Sequence, residues 1–198
     1  MGDAAVKENR KVTIFDAALK CFNENGYYKT SMDMIADRAN ITKRGLYYHF
    51  KSKDELFISL FHYMNEKFYG QIPSHASKIE DPEERLMMFV KIARTVLAES
   101  EDFLKFSQEF LSMSIRKPEI RTVMNCCYRE QVERVKKIID EGIKGKKFIR
   151  IDSLKMARAM VLLTMGAFNV YFSLDADFDI SEQHTFDIEH LIRSLKKV

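Results

Sequence analysis

Between Thr42 and Lys53 the chain gathers side chains suited to phosphate binding and base reading: Thr42-Lys43-Arg44-Gly45, Tyr47-Tyr48-His49, Lys51 and Lys53. Ammonium and guanidinium groups neutralise phosphates, and Arg can also pair with guanine. Phenol and imidazole groups can donate to phosphate oxygens. From Arg38 to Lys53 there are five basic residues and no acidic one. Over all 198 residues, 32 Lys+Arg stand against 29 Asp+Glu, a net charge of +3. Residues 1–55 hold ten basic and eight acidic groups (+2), and the remainder 22 and 21 (+1). A uniformly basic surface is thereby excluded, and the positive charge is a local feature. Periodicity alone leaves a second reading of Tyr47 and Tyr48, as rings packed at a domain edge with their hydroxyls in water.

Other chemistries find little support. The cysteines Cys21, Cys126 and Cys127 are odd in number and do not form a secreted disulfide framework. Neighbours on a helix point about 100° apart, so Cys126-Cys127 reads as buried thiol and not as a metal or redox site. His62, His75, His184 and His190 make no ligand spacing. No phosphate loop, nucleophile elbow or paired-carboxylate motif occurs, so no catalytic residue, metal or cofactor is expected. The longest apolar run, Met160 to Phe168, is far shorter than the ~20 residues of a membrane span. The chain reads as a soluble, cytoplasmic protein.

Helices must position the basic cluster. With 46% hydrophobic residues but only 7 Gly and 3 Pro, the composition favours an all-α fold. Val12, Phe15, Leu19 and Phe22 form one helical face, ended by Gly26. A short helix carries Met32, Ile35 and Ala39, capped by Thr30 or Ser31. Asn40, which enters the left-handed region readily, breaks the pattern. A third helix runs from Thr42 to about Phe50, with Leu46 and Phe50 inward. Ser52 and Glu55 cap a fourth, whose buried face is Leu56, Leu60, Phe61, Met64 and Phe68. Further helices are expected from Asp81-Pro82 to about Glu99, from Asp102 through Met113, from Glu119 to Glu141, from Ser153 to Leu174 and from Glu182 to Lys197. The total is about nine helices in two domains, 1–52 and 53–198.

The second and third helices have the helix-turn-helix plan, in which the later helix enters the DNA major groove. Gly26-Tyr27-Tyr28-Lys29-Thr30-Ser31, Ile35-Ala36, Ala39-Asn40-Ile41-Thr42 and the run Gly45 to Leu56 resemble the DNA-binding region of TetR-family transcriptional regulators. The resemblance covers about residues 10–57. It implies phosphate contacts by Thr30, Tyr48, His49 and Lys53, and a recognition helix opened by Thr42, Lys43 and Arg44. Gly45 and Tyr47 would lie against the bases. Asn40 stands where the family usually has Gly, and Arg44 where Gly is frequent, which makes Arg44 a further guanine or phosphate reader.

The resemblance also implies a homodimer on a palindromic double-stranded DNA operator, repressing until a small-molecule effector binds. Activation by the same dimer, or a helical ligand-binding protein without an operator, are the alternatives. The larger domain holds most of the 11 Met and 15 Phe. Phe103, Phe106, Phe110 and Met113 on one helix, with Met165, Phe168, Asn169 and Phe172 on another, are the expected walls of an apolar ligand pocket. Tyr128 and Asn169 are its polar candidates, although a Met/Phe stripe is also what any core requires. The last two helices, with Ile188, Leu191, Ile192 and Leu195, are the expected dimer interface.

Overall fold

The computed structural model describes residues 2–70, 78–171 and 173–196, with side chains from Asn9 onward. Among these residues nine α-helices follow one another: α1 Gly2–Lys29, α2 Met32–Arg38, α3 Lys43–His49, α4 Lys53–Tyr69, α5 Pro82–Glu99, α6 Glu101–Ser114, α7 Pro118–Lys144, α8 Ser153–Val170 and α9 Ile180–Arg193. No strand occurs among the described residues.

Local chemistry explains most boundaries. Ser31, Thr42, Ser52, Asp81, Asp152 and Asp179 each cap the following helix with a side-chain oxygen. The Glu55 carboxylate reaches back to the Lys51 N–H at 2.8 Å, completing the start of α4. Pro82 and Pro118 occupy first-turn positions, where a missing N–H costs nothing. Asn40 has φ 51°, the left-handed turn expected of it between α2 and α3. Gly26 has φ 70° and breaks α1 without ending it, so one more turn, Tyr27 to Lys29, follows at a new angle.

Two hydrophobic cores form, and the first of them runs across residue 52. The first joins α1–α4 to α6: Phe22 lies 4.8 Å from Phe57, and Phe57 lies 5.0 Å from Phe106. Phe61 stacks on Phe110 at 3.8 Å. The second gathers α5, α7, α8 and α9 around Leu86, Ile139, Met160 and Ile188. Polar bonds fasten α1 to α6 as well. Asn23 Nδ2 donates to the Asp102 carbonyl at 3.0 Å, and the Tyr27 N–H exposed by the break at Gly26 donates to Glu109 at 2.7 Å.

Candidate DNA interface and ligand cavity

Leu46 and Phe50 are buried against α1 and α2, which fixes how α3 is turned. Thr42, Lys43, Arg44, Tyr47 and Tyr48 therefore face outward together, with Gly45 and His49 half-buried at the edges. Tyr48 is 76% exposed and Tyr47 42%, so their rings are not packed into a core. The Thr42 hydroxyl accepts from the Gly45 N–H at 3.1 Å, and a Cβ on Gly45 would come within 3.2 Å of that oxygen.

The cationic cluster is less uniform than its sequence. Arg38 forms a two-pronged pair with Glu24 at 2.7 and 2.6 Å, and Lys43 pairs with Asp33 at 2.9 Å. Arg44 is exposed and has no ion pair among the described residues. The acids that reach Arg38 and Lys43 lie 14 and 10 residues away in sequence, outside the acid-free window.

Two expected phosphate contacts are differently placed. Thr30 is 1% exposed, and its one hydroxyl hydrogen is shared between the carbonyls of Gly26 at 2.8 Å and Cys21 at 3.0 Å. It closes the end of α1, and the exposed cap of α2 is Ser31. Lys53 begins α4 as expected, but its ammonium donates to the carbonyls of Tyr27 and Thr30, both at 2.7 Å, and lies 3.5 Å from that of Tyr28. It also sits 4.3 Å from the centre of the Tyr27 ring. All three ammonium hydrogens are therefore directed at protein oxygens.

A cavity of about 190 Å³ lies between α4, α5, α6, α7, α8 and α9. Of the expected wall residues, Phe103, Tyr128, Met165, Phe168 and Asn169 line it. Phe106, Phe110 and Met113 do not: they belong to the first core, where they pack against α1 and α4. The cavity face of α6 is Phe103, Ser107 and Leu111, spaced by four, and the core face lies beside it. Phe172 lies outside the described residues. Sequence reasoning missed Thr164 and His184, which share a 2.9 Å hydrogen bond in the wall. It also missed Phe61, Asn65 and Tyr69, by which α4 reaches the cavity.

The cysteines are only partly as expected. Cys21 is buried, Cys127 is half-buried in the cavity wall with its thiol pushed up by burial, and Cys126 is exposed. No group of three His, Cys, Asp or Glu able to hold a metal occurs among the described residues. No described helix is long and apolar enough to cross a membrane.

Ile188, Ile192 and Leu195 are buried within the protomer, and Leu191 is half-buried there, because this face of α9 packs on α5 and α8. The outward apolar residues of the last two helices are Leu162 and Phe186, each 56% exposed. Nothing lies within 4 Å of where a Cβ on Gly166 would stand, which leaves α8 smooth beside Leu162.

The profile of bacterial regulatory proteins of the tetR family matches residues 14–60, the span from α1 into α4. The HTH-type transcriptional regulator YhgD of Bacillus subtilis (strain 168) is 30% identical over 142 residues, covering 69% of this chain and 71% of that protein. A TetR transcription regulator from Haloarcula marismortui ATCC 43049 superposes with a TM-score of 0.86 at 21% identity, over 96% of this chain and 100% of that one. The regulator FadR from Bacillus subtilis, solved in complex with stearoyl-CoA, gives 0.79 at 22% identity, over 92% and 98%. The chain belongs to the TetR family of DNA-binding transcriptional regulators, a family without enzymatic activity.

Proposed function

We propose that the protein is a homodimeric repressor that binds a palindromic operator and is released from it by a small, largely apolar ligand. Residues 1–52 would carry the DNA contacts, and residues 53–198 the ligand and the dimer interface. Thr42, Lys43, Arg44, Gly45, Tyr47, Tyr48 and His49 would meet bases and phosphates. Lys53 and Thr30 would hold the frame behind them.

One observation carries this reading: α4 has its first residue fastened to the end of α1, and its later turns line the cavity. A ligand that shifts the wall at Phe61, Asn65 and Tyr69 would change how α4 presents α1–α3. Two recognition helices must lie about one helical turn, roughly 34–36 Å, apart to meet successive major grooves. A ligand favouring another spacing would weaken operator binding by population shift. An apolar ligand is supported by the cavity lining, and the stearoyl-CoA carried by the Bacillus subtilis FadR of the same fold brings an apolar acyl chain beside its charged nucleotide part.

The dimer is supported by Leu162 and Gly166, one turn apart on α8, and by Phe186 on α9, which are exposed apolar or closely approachable positions on the last two helices. The test is DNA binding to the gene's own upstream region with and without ligand. A protected palindrome that is lost on ligand addition is expected. Equal ligand affinity for free and DNA-bound protein would remove the proposed coupling.

A further inference from the structure

The cavity wall contains no Lys, Arg, Asp or Glu among its described residues. Its titratable members are Tyr69, Cys127, Tyr128 and His184. Burial raises Tyr69 and Cys127 and lowers His184, with Asp187 opposing only weakly, so these three stay neutral near pH 7. A carboxylate, phosphate or ammonium placed inside would therefore meet no counter-charge, and an unpaired charge in an apolar enclosure is strongly disfavoured.

The wall does contain one unused hydrogen-bonding atom whose character follows from its neighbours. The Thr164 hydroxyl has a single hydrogen, donated to the Met160 carbonyl at 3.0 Å. The tautomer that satisfies this bond and the 2.9 Å contact with His184 Nε2 together puts the imidazole hydrogen on Nε2, donated to the same oxygen. Nδ1 is then a bare lone pair. It is buried and has no partner, in a side chain only 2% exposed. Asn65 and Asn169 each spend one amide hydrogen on the carbonyl four residues back, at 2.8 Å, and keep Oδ1 as an acceptor beside their second hydrogen.

We infer that the cavity selects an uncharged, mainly apolar molecule bearing a hydrogen-bond donor, such as a hydroxyl or amide N–H, which His184 Nδ1 accepts. The inference rests on the reading of this cavity as the effector site and narrows the class of ligand. Any charged part of a ligand must remain outside the wall.

Three probes of equal chain length separate the possibilities: decanol, decyl methyl ether and decanoate, titrated calorimetrically into the full chain at neutral pH. Decanol should bind about three- to tenfold tighter than the ether, the worth of one neutral hydrogen bond. Decanoate should bind at least about tenfold weaker than decanol. His184→Phe should erase the decanol–ether gap while keeping ether binding. Should that variant fold poorly, Thr164→Val serves instead: it frees the imidazole to carry its hydrogen on either nitrogen and should narrow the gap.

Equal binding of decanol and ether, or of decanol and decanoate, to the wild-type protein would overturn the inference and leave the cavity as the effector site. Binding of none of the three would overturn the effector-site reading itself, and the inference with it.

Discussion

Lys117, in the turn between α6 and α7, is ion-paired with Asp54 in the first turn of α4. Tyr27 completes the cluster: its hydroxyl donates to Asp54, and the Lys117 ammonium lies 3.0 Å from that hydroxyl. Burial alone would raise Asp54, but the hydrogen bonds from Lys117 and Tyr27 outweigh it and hold the carboxyl below its usual value. Burial and the Asp54 carboxylate push the Tyr27 phenol up to about 12. The cluster thus bridges α6 and α7, both cavity walls, to the helix that presents the recognition unit.

Lys117→Met should cost about 1 kcal/mol of stability, the scale of a partly exposed pair. Its larger effect should be on regulation, with ligand binding less able to weaken DNA binding. A double-mutant cycle with Asp54→Asn should show non-additivity in both quantities. Additive effects would mean that the pair does not transmit.

Arg44 and Lys53 should respond differently to truncation. Arg44→Ala should lower the salt slope of DNA binding by about one and blunt sequence preference, with Tm unchanged. Lys53→Ala should leave the slope unchanged and lower stability by about 1–2 kcal/mol, a fall in Tm of about 2–8 °C. Filter binding over a salt series, beside thermal melts, reads both. A salt slope lowered by Lys53→Ala would instead place its ammonium on a phosphate.

Leu162→Glu or Phe186→Glu should yield monomers in sedimentation experiments, since either would put a charge into the proposed dimer contact. Operator affinity should fall with the dimer, while each protomer keeps its helical content. Unchanged sedimentation would move the interface elsewhere.

His184 sets a stability change in mild acid. Burial lowers its folded-state value below the ordinary 6.5, so the unfolded chain takes up a proton first. Its contribution is complete above that value and is lost as pH falls below it, by up to about 1.4 kcal/mol per pH unit. Denaturant midpoints measured through this range should fall, and the fall should be smaller in His184→Phe.

The recognition unit was readable because its determinants are local. The spacing of Leu46 and Phe50 turns Tyr47 and Tyr48 outward, and Asn40 supplies the turn between α2 and α3. Thr30 escaped that reading because its partners include the Cys21 carbonyl, brought near by the break at Gly26. The same holds for Lys53, whose carbonyl acceptors lie 23 and 26 residues away. On α6 every residue of the stripe Phe103, Phe106, Phe110 and Met113 is apolar, so periodicity could not separate wall from core. Only the neighbouring helices make Ser107 and Leu111 the wall residues beside Phe103. The His184–Thr164 pair spans two helices and has no sequence signature.

The continuous aromatic packing of Phe22, Phe57, Phe106 and Phe110 limits how this regulator can be recombined. A chimera cut at residue 52 would carry Phe22 and Tyr27 away from the α4 and α6 side chains that enclose them. Operator specificity is better exchanged by grafting the outward residues of α3 onto this scaffold than by transplanting the head.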